Sequence, residues 1–482
     1  MRNILRSSFF RKYISFSAGL WINALISFVT VPVVSWLINP SEFGKAAMFS
    51  TVYSLAVLIS VFGMPNALMR FYHSQEGNNV SKLVSSTLVV PMVIFSVFSI
   101  LVLTFSQKLN FFLIGDQKSN VHLILLLAVF FGILQTFNQT LIRIQERGWL
   151  FSTVSIVSSL SNVIVIILYS LLINRSVYAV LYGQLFSNIV ALVVGVYFQR
   201  GTHDFRIFGN VDWSLLKEVV LYSYPFVLTG LLWWILGSTD RAFLRLFRDF
   251  KEIGLYSAAF KVVSVMGLFT TGFSNLWVPL AFKKYEEGSD YKDLFRKVFS
   301  YISFFSFSLG LLVVLGKDLI FLLFAKQYRA SAYIAPFLLL TSIPMVLATV
   351  VARGIDFEKK TYWYIVSDGV AALFNVVGNL LLIPILGAKG AAITTGLSYV
   401  IVFLIEFSIA EKVHYVGYNI RTTLISMGVY IFVATVATFV ESTLIGSLVA
   451  MLGIFVVFFL YRRLLYSGFE FLKKLIDDKD VE

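Results

Sequence analysis

Cysteine is absent from this 482-residue chain, which excludes disulfide frameworks, thiolate nucleophiles and Cys-based metal sites. Histidine is nearly absent. His73, His122, His203 and His414 lie far apart, none at a His-x-x-x-His or similar spacing, so they read as loop or interface residues rather than metal ligands. Charge is scarce as well: 13% of residues are charged, against roughly 25% in a soluble domain. A Walker A motif, an HExxH motif and a carboxylate pair at catalytic spacing are all missing. The loops on one face are mostly short and gather no set of acids, histidines or arginines. Neither an enzyme nor a bound metal or cofactor is expected.

Hydrophobic residues make up 58% of the chain, with a mean hydropathy of +0.83. In water so apolar a surface would be covered in sticky patches, whereas in lipid it is solvated. A hydrocarbon core ~30 Å thick needs about 20 apolar helical residues, because every backbone polar group must be bonded within the span. Stretches of that kind lie near 14–38, 46–69, 83–105, 120–142, 150–173, 177–198, 219–243, 254–280, 297–316, 331–352, 362–384, 389–410, 421–440 and 443–461. The first follows Arg2, Arg6, Arg11 and Lys12 but is too long for a signal peptide and lacks a small-x-small cleavage site. An all-α membrane protein of about fourteen spans is predicted.

The net charge of +13 sits between the spans, as topology signals and anionic-lipid contacts do, and does not point to nucleic acid. One set of loops carries Arg143 and Arg147, then Arg200, Arg206 and Lys217, then Lys283 to Lys297, then Arg353, Lys359 and Lys360. Both termini share that face, through Arg2 to Lys12 and Arg462 to Lys474. The opposite loops are poorer, with Arg245 to Lys251 and Lys317 to Arg329 as exceptions. Both termini are therefore expected in the cytoplasm.

The chain also repeats itself. Glu42 and Gly44 match Glu252 and Gly254, while Phe71, Glu76 and Gly77 match Phe282, Glu287 and Gly288. Gln-Glu-Arg at 145–147 aligns with Phe-Glu-Lys at 357–359, and Asn162 with Asn375. The offset drifts only from 210 at Glu42 to 213 at Asn162. Six spans separate the copies, so the repeats are parallel, an arrangement that forms two bundles around a cavity. The expected organisation is a six-helix bundle over 1–200, a cytoplasmic linker over 201–218, a second six-helix bundle over 219–412, and a helical hairpin with a cytoplasmic tail over 413–482.

Several short motifs carry a family resemblance. They are Pro32 through the INPSEFG run at 38–44, Ser238 to Arg241 followed by EIGLYSAAFK at 252–261, Trp277-Val-Pro279, and LLIPILGAKGAAI at 381–393. With these the chain resembles the oligosaccharide flippases (Wzx-type O-antigen transporters) of the multidrug/oligosaccharidyl-lipid/polysaccharide superfamily. The resemblance covers essentially the whole length. It implies two MATE-like six-helix bundles plus two further helices, and alternating access acting on an undecaprenyl-diphosphate-linked oligosaccharide in the bacterial inner membrane. A polysaccharide polymerase and assembly proteins would be its partners. Relatives that handle the peptidoglycan precursor use arginines in the first helix. This chain has Trp21, Asn23 and Ser27 there, which argues against that substrate.

Ionisable groups inside spans are expensive and mark function by default. Lys261 lies about nine residues past the loop at 248–252, roughly 13 Å along its helix. Asp240 sits at similar depth on the preceding antiparallel helix, so an ion pair or shared proton site is expected, against plain snorkelling. Arg70, Arg143, Arg241 and Arg353 close spans and could receive a diphosphate through paired guanidinium donors, or act only as topology anchors. Asp368 and Glu406 are candidates for H+ or Na+ coupling, or interfacial carboxylates. Asn375 and Asn379, four apart on one helix face, suit sugar hydroxyls or interhelical bonds. Pro32, Pro91, Pro225 and Pro344 are candidate kinks, and Trp233, Trp234 and Trp363 candidate sugar contacts. Two other readings stand beside the flippase: an ion-coupled multidrug exporter of the same superfamily, and a non-transporting scaffold for polysaccharide assembly. Few carboxylates lie within the spans, which disfavours the exporter.

Overall fold

A computed structural model describes residues 8–74, 78–199, 211–288 and 291–466. The expected topology signals at Arg2, Arg6, Arg200, Arg206, Lys473 and Lys474, the repeat residues Glu76 and Gly77, and most of the expected linker lie outside the described residues. Everything described is helix, turn or loop, with no strand among the described residues. Thirteen described helices are long and apolar enough to cross a membrane, and the 30-residue helix Ser8–Leu37 precedes them. The surface reads inside out: Leu172, Leu381, Ile385, Leu444 and Phe455 are each at least 63% exposed, a distribution that lipid tolerates and water does not. This is a multi-pass membrane protein.

The chain divides into two compact units, Met1–Ser257 and Ala258–Glu482. The first unit holds α1 (Ser8–Leu37), α2 (Pro40–Val61), α3 (Met64–Phe71), α4 (Asn78–Thr104), α5 (Ser106–Ile114), α6 (Val121–Ile144), α7 (Gly148–Leu172), α8 (Val177–Phe198), α9 (Trp213–Phe247) and the start of α10 (Phe250–Glu286). The second holds the rest of α10, α11 (Tyr291–Leu315), α12 (Lys317–Leu322), α13 (Ala335–Leu338), α14 (Ile343–Val351), α15 (Arg353–Phe357), α16 (Tyr362–Leu386), α17 (Ala388–Val413), α18 (Ile420–Phe439) and α19 (Thr443–Leu460).

The motif residues at the starts of α2 and α10 prove to be architectural. Asn39 caps α2 by accepting the Glu42 N–H at 3.0 Å, with Pro40 at the first helical position, a favoured N-terminal sequence. Glu42 then takes the Val177 N–H at 2.7 Å and Lys45 at 2.5 Å, so one carboxylate fastens α2 to the N-terminus of α8. The repeated glycines face one another's helices. A Cβ on Gly44 would overlap the Phe250 carbonyl, and a Cβ on Gly254 the Pro40 carbonyl, so only glycine lets α2 and α10 approach backbone to backbone.

Helix ends repeat too. α6 ends with the Glu146 N–H on the Arg143 carbonyl and the Arg147 N–H on the Ile142 carbonyl, and α15 with Lys359 on Asp356 and Lys360 on Ile355. Glu146 and Lys359 are both left-handed, at φ 55° and 56°. Each is a Schellman stop with a non-glycine residue in its strained position. The backbone places this equivalence at 146 and 359, one residue off the alignment of 145–147 with 357–359.

Two spans are broken rather than continuous. α2 stops at Val61 because Phe62 and Gly63 take positive φ, and α3 begins there with Pro65 in its first turn. The span near 331–352 is a succession of α13, a 3-10 turn at Leu339–Thr341, α14 and α15. Pro344 starts α14 rather than kinking it, whereas Pro32, Pro91 and Pro225 lie inside α1, α4 and α9.

Candidate functional site

The densest gathering of predicted residues lies in the second unit, where α15, α16 and α17 meet. Arg353 opens α15 and forms an ion pair with Asp356 one turn on, both side chains 15% exposed. Arg353 also donates to the Thr349 carbonyl at 3.2 Å. Tyr364 donates its hydroxyl to Asp356 at 2.9 Å and lies 3.1 Å from the Ala352 carbonyl. One turn along α16, Ser367 donates to Glu406 of α17 at 3.5 Å. Glu406 and Asp368 are each 6% exposed, and the charged groups that Glu406 faces are Asp368, Arg353 and Asp356. Arg353 is thus paired with Asp356 and faces Glu406, which in turn faces Asp368, in a bundle interior where unbalanced charge is costly. The cluster brings together Arg353, Asp368 and Glu406, which sequence reasoning had singled out one at a time. It adds Asp356 and Tyr364, of which the Arg-x-x-Asp spacing at 353–356 was a readable sign.

Deeper along the same helices, Asn375 donates to Thr395 at 3.3 Å, and Asn379 donates to Asn375 at 3.0 Å. Both asparagines are fully buried, so these amides join α16 to α17 as interhelical hydrogen bonds. Their repeat counterpart Asn162 on α7 faces Gly183 of α8.

The first unit distributes its candidates. Asp240 is fully buried on α9 and accepts the Tyr256 hydroxyl. Its neighbour Arg241 donates to the Gly237 carbonyl at 3.0 Å and to Ser257 at 3.3 Å, with its guanidinium 5.9 Å from the Tyr256 ring. Arg70 ends α3 exposed, and Arg143 ends α6 exposed with its guanidinium 5.6 Å over Phe151. On α10, within the second unit, Lys261 is exposed. Trp234 donates to Ser54 at 3.0 Å, which gives that indole a structural contact.

Sequence reasoning missed two polar networks. In the first unit Gln199 donates to Asn138 at 2.5 Å and Asn138 to Gln135 at 3.2 Å. Nearby, Asn188 donates to Tyr53 at 2.9 Å. Gln135 and Asn138 share a face of α6, but the bonds that join them to α8 and its end cross 50 or more residues and carry no local signal. In the second unit His414 joins Glu358 at 2.9 Å through Nδ1 and Tyr291 at 2.8 Å through Nε2. The hydrogen bond from His414 holds the Glu358 carboxyl below its ordinary range. Among the described residues no group of acids or histidines is disposed to hold a metal ion.

Comparison with known proteins agrees with this architecture. Residues 9–285 match the family model described as polysaccharide biosynthesis protein. An uncharacterized membrane protein of Methanocaldococcus jannaschii is 23% identical over 395 residues, 75% of each chain. The probable low-salt glycan biosynthesis flippase Agl15 of Haloferax volcanii is 18% identical over 404 residues, covering 80% of this chain and 79% of that one. Among solved structures, the lipid II flippase MurJ in an inward closed conformation superposes with a TM-score of 0.70 at 15% identity, covering 94% of this chain and all of that one. An inward-facing MATE-family multidrug resistance transporter follows at 0.63 and 15%, over 83% and 97%. The fold is that of MurJ and the MATE transporters, and the chain belongs to the polysaccharide biosynthesis protein family.

Proposed function

We propose that this protein is a flippase that carries an undecaprenyl-diphosphate-linked oligosaccharide, an O-antigen or other surface-polysaccharide repeat unit, from the cytoplasmic to the opposite leaflet by alternating access. The observation that carries the reading is the polysaccharide-biosynthesis family match over 9–285 on a chain whose fold is shared with a lipid II flippase. The relative named as a glycan biosynthesis flippase supports it. The chain is a transporter rather than an enzyme, seated in the inner membrane with both termini cytoplasmic, and it delivers its cargo to polysaccharide polymerase and assembly proteins.

The Arg353 cluster suits the driving step. Arg353 is already paired with Asp356, which leaves Asp368 and Glu406 as two buried carboxylates without a cation of their own. Protons or sodium ions taken up there would neutralise them, so Asp368 and Glu406 serve as the coupling groups. Arg70, Arg143 and Lys261, all exposed, are the cations suited to a diphosphate, with Arg241 a further candidate that would have to exchange its present contacts. The test is deletion of the gene in its native host, with lipid-linked sugars and surface polysaccharide analysed together. Loss of surface glycan, with the lipid-linked oligosaccharide held on the cytoplasmic face, is expected. Unchanged surface glycan in a host without a second flippase contradicts the reading and favours the multidrug exporter, whose fold is also shared.

A further inference from the structure

A cavity of about 610 Å³ opens in the second unit, lined by Asp318, Leu319, Leu322, Arg329, Tyr333 and Glu441 among others. Its walls come from α12, the 3-10 stretch Lys326–Tyr333 and the connection between α18 and α19. Both carboxylates are held by lysines that also lean on the tyrosine. Lys317 is buried, forms an ion pair with Asp318 at 2.9 Å and lies 4.3 Å over the Tyr333 ring. Lys389 forms an ion pair with Glu441 at 3.8 Å and lies 5.7 Å from that ring. Burial, then the facing Asp318 and Glu441 carboxylates, push the Tyr333 phenol up, so it remains a neutral donor.

The lining is mainly apolar, with Leu319, Phe321 and Leu322, and carries a few polar groups: the Asp318 carboxylate held by Lys317, the exposed Glu441 and Arg329, and the Tyr333 phenol. A sugar needs that mixture: paired hydroxyls for planar carboxylates and a guanidinium, and a C–H face for apolar and aromatic groups. A diphosphate does not fit, because its charge would sit beside two carboxylates whose lysines are already engaged. The volume lies mid-range among small-molecule sites of ~300–1,000 Å³, which suits an oligosaccharide rather than a lone ion.

We propose that this cavity is a binding site for the sugar portion of the lipid-linked cargo, built at the end of the second unit where α11 gives way to α12 and α18 to α19. The inference rests on the flippase reading above. It assigns sugar recognition to residues outside the Arg353 cluster.

The experiment complements the deletion host with wild type, with Tyr333→Ala, and with Ala330→Trp, which fills the cavity from an exposed position without removing a contact. Membrane abundance and thermal unfolding in detergent are measured beside surface glycan. Wild type should restore the glycan, and both variants should fall at least about tenfold short at equal abundance. Restoration by both variants to the wild-type level overturns the site while leaving the flippase reading intact. If deletion has no effect on the glycan, the reading and this inference fall together. Where Tyr333→Ala is poorly expressed, saturation-transfer NMR on the purified wild-type and Ala330→Trp chains decides. The probe is the oligosaccharide released by mild acid from the host's lipid-linked pool, and transfer lost on adding Ala330→Trp supports the site. Absent transfer, equal transfer in the variant, or a phospholipid retained in its place overturns it.

Discussion

Glu406 sits 6% exposed on α17, facing Asp368, Arg353 and Asp356, and it accepts a hydroxyl from Ser367. A carboxylate so placed is costly unless it is paired or neutralised, and such a group is a functional candidate by default. Glu406→Gln preserves the shape and the Ser367 contact. It is expected to lower transport at least about tenfold, equivalent to some 1.4 kcal/mol of coupling, with normal membrane abundance. Full transport in a complementation assay would remove Glu406 from the coupling role. Glu358 behaves differently, because its role is structural. Its carboxyl is held below the ordinary value of 4.5 by His414. A depressed carboxylate stabilises the fold above its unfolded value, and that contribution is lost as pH falls through the folded value. Glu358→Gln should therefore lower the unfolding temperature at pH 7 and make no difference in strong acid, as read by thermal unfolding in detergent across pH. A gap that persists into strong acid would assign the effect to packing.

At the scale of elements, hydropathy places the spans because lipid imposes a length on every helix that crosses it; the span expected at 177–198 is α8 as observed. The interruptions were harder to read. The break at Phe62 and Gly63 depends on positive φ, and the 3-10 turn at Leu339–Thr341 falls in a run apolar enough to cross a membrane. Hydropathy is blind to both. The repeated Gly44 and Gly254 were visible as identities, but their shared task, a close crossing of α2 and α10, needs the coordinates. Valine at either position should destabilise the protein by about 1–3 kcal/mol or more through overpacking. Gly267→Ala should be tolerated, since nothing lies within 4 Å of its added Cβ. Thermal unfolding of the three purified variants checks this, and an unfolding temperature for Gly44→Val equal to that of wild type would show that the crossing can yield.

For the whole molecule, the apolar composition made a multi-span membrane protein legible and the motifs a MATE-like architecture, and the match of residues 9–285 to the polysaccharide biosynthesis family bears out the resemblance. The working residues were legible only as candidates. Arg353, Asp368 and Glu406 span 53 positions, and only the packing of α15, α16 and α17 shows that they form one cluster. The buried amides of the first unit pair at helical spacing within α6 and α8, but nothing along the chain shows which helices they join. The central claim is that this protein moves a lipid-linked oligosaccharide between leaflets. The most direct measurement reconstitutes the purified chain into liposomes containing labelled lipid-linked oligosaccharide from its own host, and follows how much of the inner-leaflet sugar becomes accessible to an external glycosidase. The account predicts that wild-type protein exposes the inner pool with time and that Glu406→Gln does so at least about tenfold more slowly. An inner pool that stays as protected with wild-type protein as in protein-free liposomes would contradict it.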